Sequence, residues 1–295
     1  MDNKYYFIVN PIAGKGKHLS FLPEISEFCN KNKIQFDIVI TKYPRQAIEL
    51  ARQAIGKYQV IVAVGGDGTV NEVVNGLAQS QATLGVLPIG SGNDFAYQLG
   101  YSRNLKKDLK ILLKNKTRKI DIGLVNEQHY FVNGFGVGFD GEVASRVRRF
   151  LKYSSGFFAY LMAVLRTLAT YKFRQVRVSL DDNQIINKKI LLIATCNGTT
   201  YGGGFNVAPS AKMDDGFFTI CLIDKAGRFY ALRNIQKIAR GAHIKLPIVH
   251  MYTCKKINIE SEHNLIAQYD GEVIPAGRTF EAKILPKQLI VISNE

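Results

Sequence analysis

The sequence predicts two domains, an α/β N-terminal domain on a parallel sheet and an all-β C-terminal sandwich, with an active-site cleft between them. Three observations carry this prediction. Strands and helices alternate as far as about residue 119, short runs of alternating apolar and polar residues fill most of the rest, and the glycine-rich stretches fall where strands end. The expected boundaries are 1–120 for the first domain and 121–281 for the second.

The N-terminal elements follow in order. YYFIVN (5–10) is a short apolar run, and a helix after it places Phe21, Leu22, Ile25, Phe28 and Cys29 on one face. IQFDIVIT (34–41) reads as a second strand. The next helix has Pro44 near its first turn and Ala47, Ile48, Ala51 and Ile55 facing inward. YQVIVAV (58–64) and TLGVLPI (83–89) are the third and fourth strands, with a helix between them. The stretch Arg103–Lys119 carries eight Lys/Arg against one Asp and bridges the halves. Beyond it come KIDIGLV, HYFVNGF, QVRVSL, KKILLIATC, GFFTICLI, CKKINIE, NLIAQYD and QLIVIS, interrupted by helical regions at 143–171 and 228–242.

Composition narrows the class. With 46% hydrophobic and 21% charged residues the chain is globular rather than disordered. Cys29, Cys196, Cys221 and Cys254 are scattered without CxxC pairing, and the five histidines lack ligand spacing. A zinc site or disulfide framework is therefore not expected, and a metal, if used, should be a hard cation held by oxygen. The most apolar helical stretch, GFFAYLMAVL (156–165), ends at Arg166 after ten residues, half of what a membrane span needs. No N-terminal targeting signal is read, so the expected location is cytoplasmic. A net charge of +15 favours an anionic partner. No nucleic-acid motif accompanies it, so nucleic acid is not the expected one.

The chemistry concentrates in glycine loops. AVGGDGTVNEVVNGL (63–77) leaves a buried strand and enters a helix. Gly65, Gly66 and Gly68 let the backbone approach a ligand, and the helix N-terminus offers free amides to a phosphate. Asp67 would repel a bare phosphate, which implies a metal between them. Thr69-Val70-Asn71-Glu72 also reads as a capping box, with Thr69 as N-cap and Glu72 bonding back. Gly90-Ser91-Gly92 forms a second loop before Asn93 and Asp94, either of which could simply cap a helix. NPIAGKGK (10–17) is a third loop and lacks the Walker A spacing. Gly136–Gly141 fits GxGxxG, but no acidic residue follows at the dinucleotide-binding distance.

These loops, with NGFGVGFDGEV (133–143), CNGTTYGGGFNVAPSAKMDDGFF (196–218) and YDGEVIPA (269–276), resemble the soluble bacterial diacylglycerol kinase family of lipid kinases. The catalytic domains of sphingosine and ceramide kinases are similar. The resemblance covers nearly the whole chain. It implies a first domain like that of NAD kinases and phosphofructokinases, rejoined by a returning strand within 282–295. It further implies that ATP is bound by Asn10, Pro11, Ile12, Ala13, Gly14, Thr41, Gly65 to Glu72 and Ser91, and that Asp67 and Asp94 manage ATP-linked magnesium. Ser91 stands where the family commonly has threonine. By the same resemblance Asp270, with Glu272 second, is the base, and Asp215 with the carbonyls of Lys212 and Phe217 holds a structural magnesium. Without the resemblance, Asp270-Gly271 reads as a hairpin turn and Asp214-Asp215-Gly216 as a plain turn.

The expected reaction is phosphoryl transfer from ATP to a lipid hydroxyl, most readily that of diacylglycerol. Phosphatidylglycerol, sphingoid bases and ceramide are open alternatives, and an NAD kinase or a non-enzymatic nucleotide-binding module are the rivals. Within 143–171, Arg146, Arg148, Arg149 and Lys152 mix with Phe150, Phe157, Phe158, Leu161 and Leu165. Within 228–245, five cations mix with Phe229, Leu232, Ile235 and Ile238. Such stretches suit an anionic membrane surface, here the inner leaflet, or else a solvated basic face covering the sandwich. Dimers are common in the family.

Overall fold

The computed structural model describes residues 4–14, 20–150 and 156–294. Lys15, Lys17 and Lys152, and the side chains of Arg148, Arg149 and Phe157, lie outside the described set. The chain divides into two compact units, one running to Asp121 and resuming at Lys287, the other spanning Ile122–Pro286.

Unit 1 is built from β1 (Lys4–Val9), α1 (Leu22–Lys31), β2 (Gln35–Ile40), α2 (Gln46–Ala54), β3 (Val60–Gly65), α3 (Asp67–Leu77), β4 (Thr83–Pro88), α4 (Asp94–Gln98), α5 (Leu105–Lys114) and the start of β5 (Thr117–Val125). Its strands pair in parallel in the order β4-β3-β1-β2. All residues of β3 and β4 are buried, as expected of inner strands covered on both faces, whereas edge strand β2 is half exposed. The basic run after Arg103 is largely helix α5, which buries Leu109, Ile111 and Leu112 and packs on β4. It is a sheet-covering helix of unit 1 rather than a bridge. Of the residues expected to face inward from α2, Ala47 and Ala51 do so, but Ile55 lies beyond the helix end and is 36% exposed.

Unit 2 contains β6 (His129–Phe131), β7 (Gly134–Gly138), α6 (Phe139–Phe150), α7 (Gly156–Thr170), β8 (Arg174–Leu180), β9 (Gln184–Cys196), β10 (Phe218–Asp224), α8 (Arg228–Ala239), β11 (Val249–Cys254), β12 (Lys256–Tyr269) and β13 (Glu272–Ile292) up to Pro286. Strands β9 and β12 are long enough to serve both layers of the sandwich. Their first halves pair with β8, and their second halves pair with β7. Shifts of register within β12 accompany this change of partner. Phe131, Phe135, Phe218, Val178, Ile257 and Phe280 share the buried core. A second apolar layer, with Tyr171, Leu191, Tyr201 and Cys221, lies against Ile238 of α8. The four cysteines are all buried and unpaired.

Candidate active site

Four loops leave the carboxyl ends of the strands of unit 1, the edge where open α/β sheets bind ligands. They are fastened to one another. The Asn10 side-chain amide donates to Thr69 Oγ1 (3.0 Å), and Asn10 Oδ1 accepts from the Ile12 N–H (3.0 Å). The loop after β3 touches the loop after β4 backbone to backbone: a Cβ placed on Gly90 would lie 2.3 Å from the Gly66 Cα, so only glycine fits. Gly14, at φ +56°, comes as close to the Ile89 carbonyl, where a Cβ would stand 2.6 Å from the oxygen.

Asp67 locks these loops. Its carboxylate accepts the N–H of Asn93 (2.7 Å) and of Phe95 (3.3 Å), the residues on either side of Asp94. Asn93, in the left-handed region at φ 62°, closes the Gly90–Gly92 turn by exchanging two 2.9 Å hydrogen bonds with the Gly90 backbone. Arg103 donates from outside to the carbonyls of Ser91 and Gly92. The sequence reading missed Arg103, although it stands first in the basic run already noted.

The capping box is not formed. Helix α3 begins at Asp67 with Gly66 as N-cap, which leaves Thr69 inside the first turn with its hydroxyl occupied by Asn10. Glu72 reaches another helix: its two carboxylate oxygens accept the N–H of Arg45 (3.1 Å) and of Ala47 (3.2 Å) at the start of α2. Arg45 sits there at φ 68°, a conformation that usually selects glycine. Glu72 therefore fixes the Thr41–Arg45 loop beside Asn10, and the Thr41 N–H bonds to the Val9 carbonyl (2.9 Å).

Of the expected nucleotide set, Thr69, Val70 and Asn71 are buried, so they offer backbone rather than side chains to a ligand. Pro11, Ile12, Gly66, Gly68 and Ser91 retain solvent exposure, and Ile12 is 81% exposed. A Cβ on Gly68 would meet nothing within 4 Å. The first-turn amides of α3 have no carbonyl within the helix to bond. Burial raises the Asp67 carboxyl against the pull of its amide partners. Both carboxylate oxygens already accept amides, so a divalent ion bound together with phosphate would meet Asp67 through water or through lone pairs that those amides leave over. Asp94, also buried, lies between Asn93 and Phe95, whose amides Asp67 holds.

In unit 2, Asp270-Gly271 is the turn of the β12–β13 hairpin, with φ of 45° and 89° at the two central residues and Tyr269 paired to Glu272. Positive φ at both positions is the requirement of a type I′ turn. The Asp270 carboxylate is buried and accepts three amides, of Val132 (2.8 Å), Asn133 (2.9 Å) and Gly134 (3.0 Å). Glu272 is only partly buried at the first position of β13.

Asp215 Oδ1 accepts the Phe217 N–H (3.0 Å), with Gly216 at φ +78°. Lys212, Asp215 and Phe217 are exposed. One carboxylate with an oxygen already committed to the turn is a poor fit for a dedicated metal site. Among the described residues no three His, Cys, Asp or Glu side chains are grouped to hold a metal.

Asp140 lies inside the GxGxxG stretch, and the sequence alone assigns it no role. It is buried, accepts from the Tyr201 hydroxyl (3.0 Å), Gln268 Nε2 (3.3 Å) and the Gly141 N–H (2.9 Å), and burial pushes its carboxyl up to about 6. A Cβ on Gly136 would sit 1.5 Å from its Oδ2, which explains that glycine without a dinucleotide.

Comparison with known proteins bears on both units. The diacylglycerol kinase catalytic domain profile matches residues 4–125, and the YegS C-terminal NAD kinase beta sandwich-like domain profile matches residues 134–293. The diacylglycerol kinase of Staphylococcus epidermidis is 33% identical over 276 residues, covering 92% of this chain and 86% of that protein. That of Staphylococcus saprophyticus is 31% identical, covering 92% and 90%. A solved diacylglycerol kinase structure from Bacillus anthracis superposes with a TM-score of 0.77 at 24% identity, covering 99% of this chain and 97% of that one. An NAD kinase from Archaeoglobus fulgidus in complex with ATP shares the fold at a TM-score of 0.57 and 14% identity, covering 99% and 94%.

Proposed function

The chain belongs to the diacylglycerol kinase family and is a lipid kinase, and from that premise we propose that it moves the γ-phosphate of ATP to the hydroxyl of diacylglycerol, giving phosphatidic acid and ADP. The observation that carries the ATP half is the knot of glycine loops around Asp67 and Asn93, which presents close-packed backbone and helix-start amides at one sheet edge. Asp67, with Asp94 beside Asn93, would hold magnesium, which when bound neutralises phosphate charge. The loops of Asn10–Gly14, Thr41 and Ser91 would orient the nucleotide. Lys212, Asp215 and Phe217 form a turn, and no step is assigned to a second metal there.

The lipid oxygen attacks the γ-phosphorus, its bond to the β-phosphate oxygen breaks, and the hydroxyl proton passes to a carboxylate. The three amides on Asp270 favour Glu272 as that base and Asp270 as the residue holding the turn, the reverse of the order expected from sequence. No described helix is long and apolar enough to cross a membrane, and docking on an anionic membrane from one side is the proposed route to the lipid.

The test is phosphate transfer from labelled ATP, with and without magnesium, to diacylglycerol, monoacylglycerol, sphingosine, ceramide and phosphatidylglycerol in anionic mixed micelles, with free NAD in parallel. Labelled phosphatidic acid is the expected product. Glu272→Gln should lower kcat by about 100-fold or more with KM for ATP unchanged. Asp270→Asn should instead lower the unfolding temperature. Label on another lipid alone would change the substrate, and label on NAD alone would overturn the reading. Full turnover in Glu272→Gln would return the base to Asp270.

A further inference from the structure

Gln268 lies near the end of β12 and is buried. A buried amide costs free energy unless it is hydrogen-bonded, and an apolar side chain would fill the same place without that demand. Both ends of this amide are bonded. Oε1 accepts the Gly271 N–H (2.8 Å), a group that a two-residue hairpin turn leaves without a partner of its own. Nε2 donates to Asp140 Oδ2 (3.3 Å), and the same oxygen accepts the Tyr201 hydroxyl (3.0 Å). The Tyr201 ring lies against Gly134, where a Cβ would stand 2.9 Å from it. The Gly134 N–H in turn is one of the three amides held by Asp270 (3.0 Å). These contacts close a ring, from Gly271 through Gln268, Asp140, Tyr201 and Gly134 to Asp270, whose peptide bond leads back to Gly271. Glu272 is the next residue of the chain.

We propose that Gln268, anchored on Asp140, is a positioning residue for Glu272: it fixes the Gly271 peptide and so the direction in which the Glu272 side chain leaves the turn. The proposal deepens the lipid-kinase reading and rests on Glu272 being the base. A proton acceptor works only when placed within hydrogen-bond reach of the attacking hydroxyl, and small misplacements cost rate. Asp270 ties one side of the turn to residues 132–134. Gly271, at φ +89° and with nothing within 4 Å of where a Cβ would stand, has no side-chain packing to hold the other side, and the Gln268 hydrogen bond restrains it. A buried carboxyl is a costly anchor, and a fully bonded polar network of this kind specifies one arrangement.

The test measures kcat on diacylglycerol, KM for ATP and melting temperature for the wild type, Gln268→Met, Gln268→Glu and Glu272→Gln. Gln268→Met nearly keeps the volume and removes both hydrogen bonds. Well below its melting temperature its kcat should fall about tenfold or more, with KM for ATP unchanged. Unchanged kcat would overturn the proposal and leave Glu272 as the base. Added to Glu272→Gln, the same substitution should slow turnover no further, because Gln268 acts through that carboxylate; an undiminished further loss would overturn the proposal. Gln268→Glu keeps an oxygen for the Gly271 N–H but sets a second carboxyl against Asp140. Around Asp140, burial raises Tyr201, Tyr171, Cys196 and Cys221 and keeps them uncharged, while Glu142 on α6 pairs with Arg146 (2.8 Å). The two carboxyls should therefore share a proton at low pH and repel at high pH. The kcat of Gln268→Glu relative to wild type should fall as pH rises above about 6. A constant ratio would leave Gln268 a structural role and overturn the proposal. Full turnover in Glu272→Gln, or no lipid phosphorylation by the wild type, would instead sink the reading beneath the proposal, and the proposal with it.

Discussion

Asp140 shows how much a single buried carboxyl can weigh. Its folded-state value near 6 lies above the ordinary 3.8 because burial penalises the charge more than Tyr201, Gln268 and Gly141 relieve it. Folding therefore favours the protonated form. That favourable contribution is complete below about pH 4 and is lost as pH rises through about 6. Asparagine at this position removes the titration. The stability of Asp140→Asn relative to wild type should accordingly rise between pH 4 and 7, by on the order of 2–3 kcal/mol. Chemical denaturation across that range measures it, and parallel pH profiles for the two proteins would contradict it. The polar partners are what make the site tolerable, since a buried charge without them costs far more.

Among the elements, the loop pair after β3 and β4 separates folding from ligand binding. Gly90→Ala forces a methyl into the Gly66 backbone, and a contact of 2.3 Å to main chain admits no side-chain adjustment. That variant should lose both thermal stability and nucleotide binding. Gly68→Ala meets open space inside a helix, where alanine gains about 0.5–1 kcal/mol over glycine. It should fold at least as well as wild type, yet bind ATP about tenfold or more weakly if phosphate lies against the start of α3. Calorimetric titration with a non-hydrolysable ATP analogue, beside a melting curve, reads both effects. Undiminished ATP binding by Gly68→Ala would move the phosphates elsewhere. Glu72 illustrates the same interdependence, since a residue of α3 sets the geometry of α2.

At the scale of the whole molecule, the chain leaves unit 1 after Asp121 and returns to it at Lys287. The returning end of β13 pairs in parallel with β4, buries Leu289, Val291 and Ile292, and accepts the Tyr101 hydroxyl on the Ile292 carbonyl (3.2 Å). Three buried aliphatic side chains contribute on the order of 5 kcal/mol, comparable to the entire stability of many domains. A chain ending at Pro286 should therefore lose stabilisation by an ATP analogue while the sandwich still unfolds cooperatively. Circular dichroism melts with and without the nucleotide test this, and retained nucleotide protection would show the strand to be dispensable.

The sequence by itself determined whatever depends on neighbours along the chain. Continuous apolar runs made β3 and β4 inner strands of a parallel sheet, alternation marked the sandwich strands, and glycines at strand ends located the loops, because periodicity and backbone freedom are local properties. The tertiary structure alone decided which groups those local features serve. Asp67 bonds to amides 26 and 28 residues away, Glu72 caps a helix that precedes it, and Asp270 is saturated by amides up to 138 residues away. In sequence, Asp67 reads as a metal residue, Glu72 as half of a capping box within its own helix, and Asp270 as a turn residue or, by the family resemblance, a base. The lone pairs of each are claimed by whichever backbone the strand order brings within about 3 Å, and spacing along the chain carries no record of that approach.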